Sequence, residues 1–297
     1  MDRVGFIGIG IMGTPMSKRL LAAGYELVVY DIKPEAISPL LERGAVAAAS
    51  PAEVGSRCSK VITMLPNSTI VEEVVLGPSG LMEGFSPGST LIEMSSANPT
   101  STRRIARMLG ARSVEMIDAP VSGGPTGAAD GSLAIMVGGD ESVYQACLPI
   151  LQSLGKNIFL VGPHGSGHLM KTLNNMLFAI NMAGVCEALV LGAKVGLSPE
   201  KIVEVVGKGS GQSYALTNKT VRQILANNYR PGFSTNLLYK DVDIATTLGR
   251  EMGVPLLVAN LAHQILAIAR GRGMGELDNC SILKLLEEAA GVRVIPE

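Results

Sequence analysis

Three short segments of this 297-residue chain carry side chains whose types and spacing suit proton transfer and carboxylate binding. In Gly165-Ser166-Gly167-His168-Leu169-Met170-Lys171-Thr172-Leu173-Asn174-Asn175, Lys171 and Asn175 are four apart and so share one face of a helix. A lysine partly removed from water has its pKa lowered toward working pH and can exchange a proton with a hydroxyl or carbonyl oxygen. Asn175 can orient the same oxygen, or a carboxylate beside it. On spacing alone, the alternative for Lys171 is an ordinary solvated lysine. Asp118-Ala119-Pro120-Val121-Ser122-Gly123-Gly124-Pro125 offers consecutive N–H groups and one hydroxyl with no bulky side chain at its turn. It reads either as a carboxylate cradle or as a plain proline-rich turn. Lys240-Asp241 is either a contact to a carboxylate or cofactor or part of a solvated helix face. His164 and His168 are also four apart, a spacing that binds metal on a helix, but Gly165 and Gly167 break the intervening turn and no Glu follows His164. They read as loop or helix-start positions, and no metal is expected.

These segments need a scaffold, and the first thirty-one residues indicate which. Val4 to Ile9 reads as a buried strand, Gly13 to Ala23 as a helix, and Gly8-Ile9-Gly10-Ile11-Met12-Gly13 as the tight turn between them. Gly8 permits the turn and Gly10 lets a pyrophosphate approach the backbone. Gly13 lets helix and strand pack closely, with Ile11 and Met12 at the helix N-terminus whose N–H groups would hold phosphate. A second strand, Glu26 to Tyr30, ends in Asp31, an acid about twenty residues on, as a dinucleotide site requires. A carboxylate there accepts the ribose hydroxyls of NAD but repels the 2′-phosphate of NADP by about 4 kcal/mol, for charges about 4 Å apart at an effective dielectric of about 20. NAD is the expected cofactor. Lys33, close by, softens that repulsion and keeps NADP possible.

Lys60 to Leu65, Thr90 to Met94, Val114 to Asp118, Leu133 to Val137 and Asn157 to Val161 read as further strands alternating with helical patterns. The expected fold is therefore an α/β Rossmann-type N-terminal domain with a mostly parallel sheet, followed by an all-α C-terminal domain. The boundary is placed at Gly162-Pro163-His164-Gly165, giving domains 1–163 and 164–297. Ligands of such a sheet bind beyond the carboxyl ends of its strands. Leu65, Pro66 and Ile70 are expected to line the adenosine and ribose side of the cofactor, and the hydroxyls of Ser95 and Ser96 to lie near the nicotinamide. Past the boundary, a long helix spans about Gly167 to Val195, and Ser198-Pro199-Glu200 starts the next. Further helices are expected at Ser213 to Asn227, Thr235 to Met252, Leu256 to Arg272 and Cys280 to Ala290.

A net charge of -1 with no basic run argues against nucleic acid or a membrane surface as partner. The apolar stretch Met176 to Ala193 contains Asn181 and Glu187, which favours a protein interior over a bilayer. The strand near the N-terminus leaves no room for a leader, and the four dispersed cysteines suit reduced thiols, so a cytoplasmic location is expected.

Taken together, Gly5-Phe6-Ile7-Gly8, Asp118-Ala119-Pro120-Val121-Ser122-Gly123-Gly124, Lys171-Thr172-Leu173-Asn174-Asn175 and Lys240-Asp241 resemble the motifs of the β-hydroxyacid dehydrogenases. That family includes 3-hydroxyisobutyrate dehydrogenase, tartronate semialdehyde reductase and 2-(hydroxymethyl)glutarate dehydrogenase. The resemblance spans nearly the whole chain. It implies that Lys171 is the general acid/base, that Ser122, Gly123 and Gly124 hold the substrate carboxylate, that Asn175 contacts substrate, and that Lys240 lies beside cofactor and substrate. It further implies NAD-linked, reversible oxidation of a small, 3-hydroxyisobutyrate-like β-hydroxy acid to its semialdehyde, in a homodimer or homotetramer. Several relatives carry arginine where this chain has Gln212, and a neutral amide lacks arginine's bidentate charged grip on a carboxylate. From its residues alone, Gln212 is either a site amide or a packing residue of its glycine-rich loop. An NAD-binding sensor or assembly module without turnover would be free to lose Lys171 and Asn175, which this chain keeps.

Overall fold

The computed structural model describes residues 2–295. The chain divides into two compact units, Met1–Lys171 and Thr172–Glu297.

The first unit is built on one nine-stranded sheet. Its strands are β1 (Arg3–Ile7), β2 (Glu26–Tyr30), β3 (Val46–Ala47), β4 (Lys60–Thr63), β5 (Thr90–Glu93), β6 (Glu115–Asp118), β7 (Val121–Ser122), β8 (Leu133–Gly138) and β9 (Gly155–Gly162). The order is β3-β2-β1-β4-β5-β6-β8-β7, with β9 paired to β8. From β3 to β6 every pairing is parallel. β8 runs antiparallel to β6 and β7, which makes the sheet mixed at one side. Strand order reverses between β1 and β4, the switch point where an open α/β sheet leaves a crevice at its carboxyl edge. The strands are Val-, Ile- and Leu-rich because helices cover both faces, giving two separate buried clusters around Phe6, Ile62 and Ile92 and around Ile7, Val61 and Leu91.

Register aligns the strand ends. Tyr30, Ile7, Thr63, Glu93 and Asp118 are successive partners across β2, β1, β4, β5 and β6, so they form one row at the carboxyl edge. In-register neighbours on parallel strands project to the same face. Glu93 and Asp118 therefore lie side by side, and both are buried.

The long helix is Ser166–Lys194. It is preceded by Gly165 at φ +87°, and its second residue must be glycine. A Cβ on Gly167 would stand 2.3 Å from the Met136 carbonyl and 2.7 Å from that of Asp118. The helix start is thus pressed against β6 and β8. In length and composition this helix would suffice to cross a membrane, yet 44% of its most apolar window is buried inside the protein. Ala179, Met182, Cys186 and Leu189 are core residues of the second unit, where they pack with Leu216, Ile224, Leu238, Val242, Leu266 and Leu283.

Those partners come from a set of further helices. Pro199–Val206 starts as expected, with Ser198 accepting the Lys201 N–H and Pro199 in the first turn. Thr235–Glu251 is capped by Ser234, and Leu257–Gly271 follows. Two segments depart from expectation. The pattern at Ser213 to Asn227 forms a π-helix over Ala215–Ile224, and Cys280 to Ala290 splits into a 3₁₀ turn, Asn279–Ile282, and an α-helix, Leu283–Ala290. In the second case Asp278 draws the turn tight by accepting the Cys280 N–H.

Candidate active site

At the switch point the glycines occupy the three positions expected of them. Gly8 has φ +96°, and a Cβ there would meet the Met64 carbonyl at 2.3 Å; at Gly13 it would meet the Gly8 carbonyl at 1.8 Å. Gly10 is different in kind, because nothing lies within 4 Å of its built Cβ. That open space is where a pyrophosphate needs bare backbone. The helix Gly13–Ala22 has no side-chain cap and no acid in its first turn, so nothing of its own competes for an anion at its N-terminus, where Ile11 is exposed and Met12 partly buried. These residues fit a dinucleotide.

Asp31 has a second task beside the one read from sequence. One of its oxygens, Oδ2, accepts the Ile9 N–H at 2.7 Å, and Oδ1 accepts the Lys33 N–H at 2.9 Å. The carboxylate therefore ties the end of β2 to the glycine turn. Each oxygen accepts more than one hydrogen bond, so capacity for ribose hydroxyls remains.

Next along the edge, Leu65 donates its N–H to Ser95 Oγ at 2.8 Å, joining the segments after β4 and β5. Of the two serines expected near the nicotinamide, Ser95 is fully buried and occupied in this way, and Ser96 is partly exposed. Pro66 is exposed, and Ile70 lies in the first turn of the helix Ser68–Leu76, its N–H accepted by the Asn67 side chain. After β6 the chain runs through β7 to Ser122. Gly123 and Gly124 follow at φ +133° and +63°, a pair of conformations that glycine alone adopts without strain, and they open the helix Gly124–Asp130.

The long helix is fastened to the same edge by a buried polar cluster. The Asp118 carboxylate accepts the Gly165 N–H at 2.7 Å and the His168 N–H at 2.9 Å. The His168 ring is fully buried between Thr102 Oγ1, 2.7 Å from Nδ1, and the Ser95 carbonyl, 3.0 Å from Nε2. Glu93 Oε2 also lies 2.7 Å from Nε2, an ion contact beside the N–H direction, which points at the Ser95 carbonyl. Burial alone would lower the His168 pKa, but the adjacent Glu93 carboxylate, the charge of Asp118 and the Ser95 carbonyl raise it above its ordinary value. Glu93 mirrors this: burial pushes it up, while His168 and the Ser95 donor outweigh burial and bring it below the usual carboxylate range. Lys171, partly buried, follows His168 by three residues on the same helix.

In the second unit, Asn175 and Lys240 meet at one carboxylate. Asn175 Nδ2 donates to Asp241 Oδ2 at 2.6 Å, and Asn174 Nδ2 donates to Asn175 Oδ1 at 2.9 Å. Lys240 Nζ lies 3.3 Å from Asp241 Oδ1 as an ion contact without hydrogen-bond alignment. Asp241 is 4% exposed, so it holds its neighbours from inside the fold. Gln212 is exposed on its loop rather than packed within it.

Sequence reasoning missed the roles of Glu93, Thr102, His168 and Asp241. The signal for the first was present: Thr90-Leu91-Ile92-Glu93 and Glu115-Met116-Ile117-Asp118 are apolar strands that both end in an acid. Among the described residues, no group of three His, Cys, Asp or Glu is arranged to hold a metal ion.

A Rossmann sheet with an open glycine turn, followed by a helical region, is the architecture of a dinucleotide-binding protein. Residues 3–162 match the family model for the NAD binding domain of 6-phosphogluconate dehydrogenase. Residues 165–286 match that for the NAD-binding region of NADP-dependent 3-hydroxyisobutyrate dehydrogenase. The chain is 39% identical over 292 residues to the 2-(hydroxymethyl)glutarate dehydrogenase of Eubacterium barkeri, covering 98% of this chain and 97% of that one. It is 37% identical over 291 residues to the mitochondrial 3-hydroxyisobutyrate dehydrogenase of Mus musculus, covering 96% and 87%. A structure of the Mycobacterium tuberculosis 3-hydroxyisobutyrate dehydrogenase with L-serine superposes with a TM-score of 0.90 at 30% identity, covering 96% of this chain and 99% of that one. The chain belongs to the β-hydroxyacid dehydrogenase family, whose members are NAD(P)-dependent oxidoreductases.

Proposed function

We propose that this protein reversibly oxidises a small, 3-hydroxyisobutyrate-like β-hydroxy acid to its semialdehyde, with NAD as the preferred acceptor and Lys171 as general acid/base. The observation that carries this is the fastening of the Lys171 helix, through Asp118 and His168, to the sheet edge that also bears the open glycine turn. Gly8, Gly10, Ile11, Met12, Gly13, Asp31, Leu65, Pro66, Ile70 and Ser96 are assigned to the cofactor. Bound there, the nicotinamide supplies the hydride acceptor. Lys171 takes the hydroxyl proton as the carbinol carbon gives up hydride, and returns a proton to the carbonyl oxygen in reverse. Ser122, Gly123 and Gly124 are assigned to the substrate carboxylate, Asn175 to a substrate oxygen, and Lys240 to both substrate and cofactor. Asp241, which holds Asn175 and Lys240, supports that pairing.

NAD preference follows from Asp31, whose charge opposes a 2′-phosphate. The domain division is taken as 1–163 and 164–297, in keeping with a sheet that ends at Gly162 and a helix that begins at Ser166. A cytoplasmic homodimer or homotetramer is proposed. Leu173 and Leu177 on the long helix and Leu257, Leu261 and Ile268 on the helix Leu257–Gly271 support association, since they repeat at helical spacing and stand exposed.

The test is the initial rate of NAD reduction with 3-hydroxyisobutyrate, glycerate, 2-(hydroxymethyl)glutarate, 3-hydroxypropionate and L-serine. Lys171→Ala is expected to lower kcat by about a hundredfold or more while leaving NADH binding intact. Turnover of none of these acids by a chain that binds NADH would sink the substrate class.

A further inference from the structure

The His168 cluster lies outside the residues assigned above, and every partner it meets is polar. Thr102 Oγ1 lies 3.1 Å from the Asn98 carbonyl of its own helix and 2.7 Å from His168 Nδ1, so it bridges that helix to the ring. On the other side, Nε2 faces the Ser95 carbonyl and the Glu93 carboxylate, both acceptors, so Nε2 carries a proton. The ring is buried between two carboxylates that strand register sets side by side. It cannot touch a ligand, because none of it reaches the surface.

Its attachments converge from three directions. Thr102 belongs to the helix Pro99–Gly110, Ser95 and Glu93 to the end of β5, and Asp118 to the end of β6. Together with glycine at 165 and 167, they fix the first turn of the long helix in position and rotation. Lys171 is three residues on, where a helical neighbour shares nearly the same face.

We infer that His168 is a positioning residue: a buried imidazole ring, held by Thr102, Ser95, Glu93 and Asp118, that sets the rotation of the helix start and so the placement of the Lys171 amine. The inference rests on the reading of Lys171 as the proton-transfer group. A reacting proton must pass over hydrogen-bond distance, so a small rotation of the turn lowers turnover without weakening the binding of either ligand.

The experiment is a double-mutant cycle on the full-length protein, using the best acid of the panel. It compares wild type, His168→Gln, Lys171→Ala and the double variant for kcat, KM and NADH affinity, with folding checked by circular dichroism. His168→Gln is expected to lower kcat by about 20-fold, with KM and NADH affinity held within about threefold. In the Lys171→Ala background the same substitution is expected to change kcat by less than about twofold, because the group it positions is gone. Thr102→Val, which removes the hydroxyl and keeps the shape, is expected to lower kcat by about fivefold and carries the same cycle should His168→Gln fail to fold. A wild-type kcat in folded His168→Gln, or losses that multiply in the double variant, overturns the positioning role. If Lys171→Ala itself keeps the wild-type kcat, the assignment of Lys171 fails, and the positioning role fails with it. A collapsed Lys171→Ala beside an unaffected His168→Gln overturns the positioning role alone.

Discussion

Each unit buries a carboxylate against a cation, and the two arrangements differ in what surrounds them. In the second unit Asp278 is fully buried, with Lys219 Nζ at 2.6 Å and the N–H groups of Gly232, Phe233 and Cys280 at 3.2, 3.3 and 3.2 Å. Every backbone partner belongs to a loop or a tight turn, and Asp278 stitches that irregular chain to the π-helix that bears Lys219. In the first unit, Glu93 and Asp118 close on His168 at the ends of regular strands, one helical turn from Lys171. A buried ion pair is weak evidence for stability in itself, because desolvation offsets much of the attraction. The contrast is one of consequence: the Asp278 pair helps hold an irregular segment in shape, and the His168 cluster fixes the lysine assigned to chemistry.

Breaking the contrast at its strongest point means removing Asp278. Asp278→Ala strands the Lys219 ammonium and three N–H groups, and is expected to reduce stability by about 3–5 kcal/mol in urea unfolding. The kcat of the protein that remains folded should stay at the wild-type value. A large fall in kcat with stability preserved would erase the distinction between the two clusters.

A pH series sharpens it. His168 has a raised pKa, so the stability it confers is complete below its ordinary 6.5 and is lost as pH rises through the raised native value. Glu93 has a lowered pKa, so its contribution is complete above its ordinary 4.5 and is lost as pH falls through the lowered native value. Thermal unfolding of the wild type should show a plateau between those limits with a decline on each side, and His168→Gln should flatten the alkaline decline. An alkaline limb that is the same in both proteins would mean that His168 is not charged in the native state.

The smallest effect is expected at Ser95→Ala. It removes the acceptor for the Leu65 N–H and should lower stability by about 1 kcal/mol, read as a shift in urea midpoint at constant slope. NADH affinity should change little, since that hydroxyl is buried; a loss of affinity without a loss of stability would return Ser95 to the cofactor site.

Much of this scaffold was legible in the residues, for reasons that also explain the gaps. β2 matches its expected span because an apolar run bounded by polar residues has one sensible reading, and the open turn at Gly10 follows from glycine spacing between a strand and a helix. β3 and β7 were missed because two residues cannot display a period. The π-helix was read as α because its apolar positions fit either winding within ten residues. The polar clusters were hidden for a different reason: His168 meets partners far away in sequence, at Ser95 and Thr102, and only strand register brings Glu93 beside Asp118. A lone buried acid at a strand end looks like a boundary, and pairing two of them requires knowing which strands are neighbours.

The bond from Asp31 to the Ile9 N–H constrains how cofactor preference can evolve. To prefer NADP, the chain would have to weaken the repulsion from the charge at position 31, yet the same carboxylate anchors the turn proposed for either dinucleotide. Substitution by alanine would relieve repulsion and slacken that turn in one step, so affinity for both cofactors would fall before preference could reverse. Asn keeps an acceptor oxygen while discarding the charge, which makes Asp31→Asn the passable first step, and a cation in place of the exposed Ile32 or alongside Lys33 the second. A route that begins with the cation meets no such barrier, because Ile32 holds nothing in place.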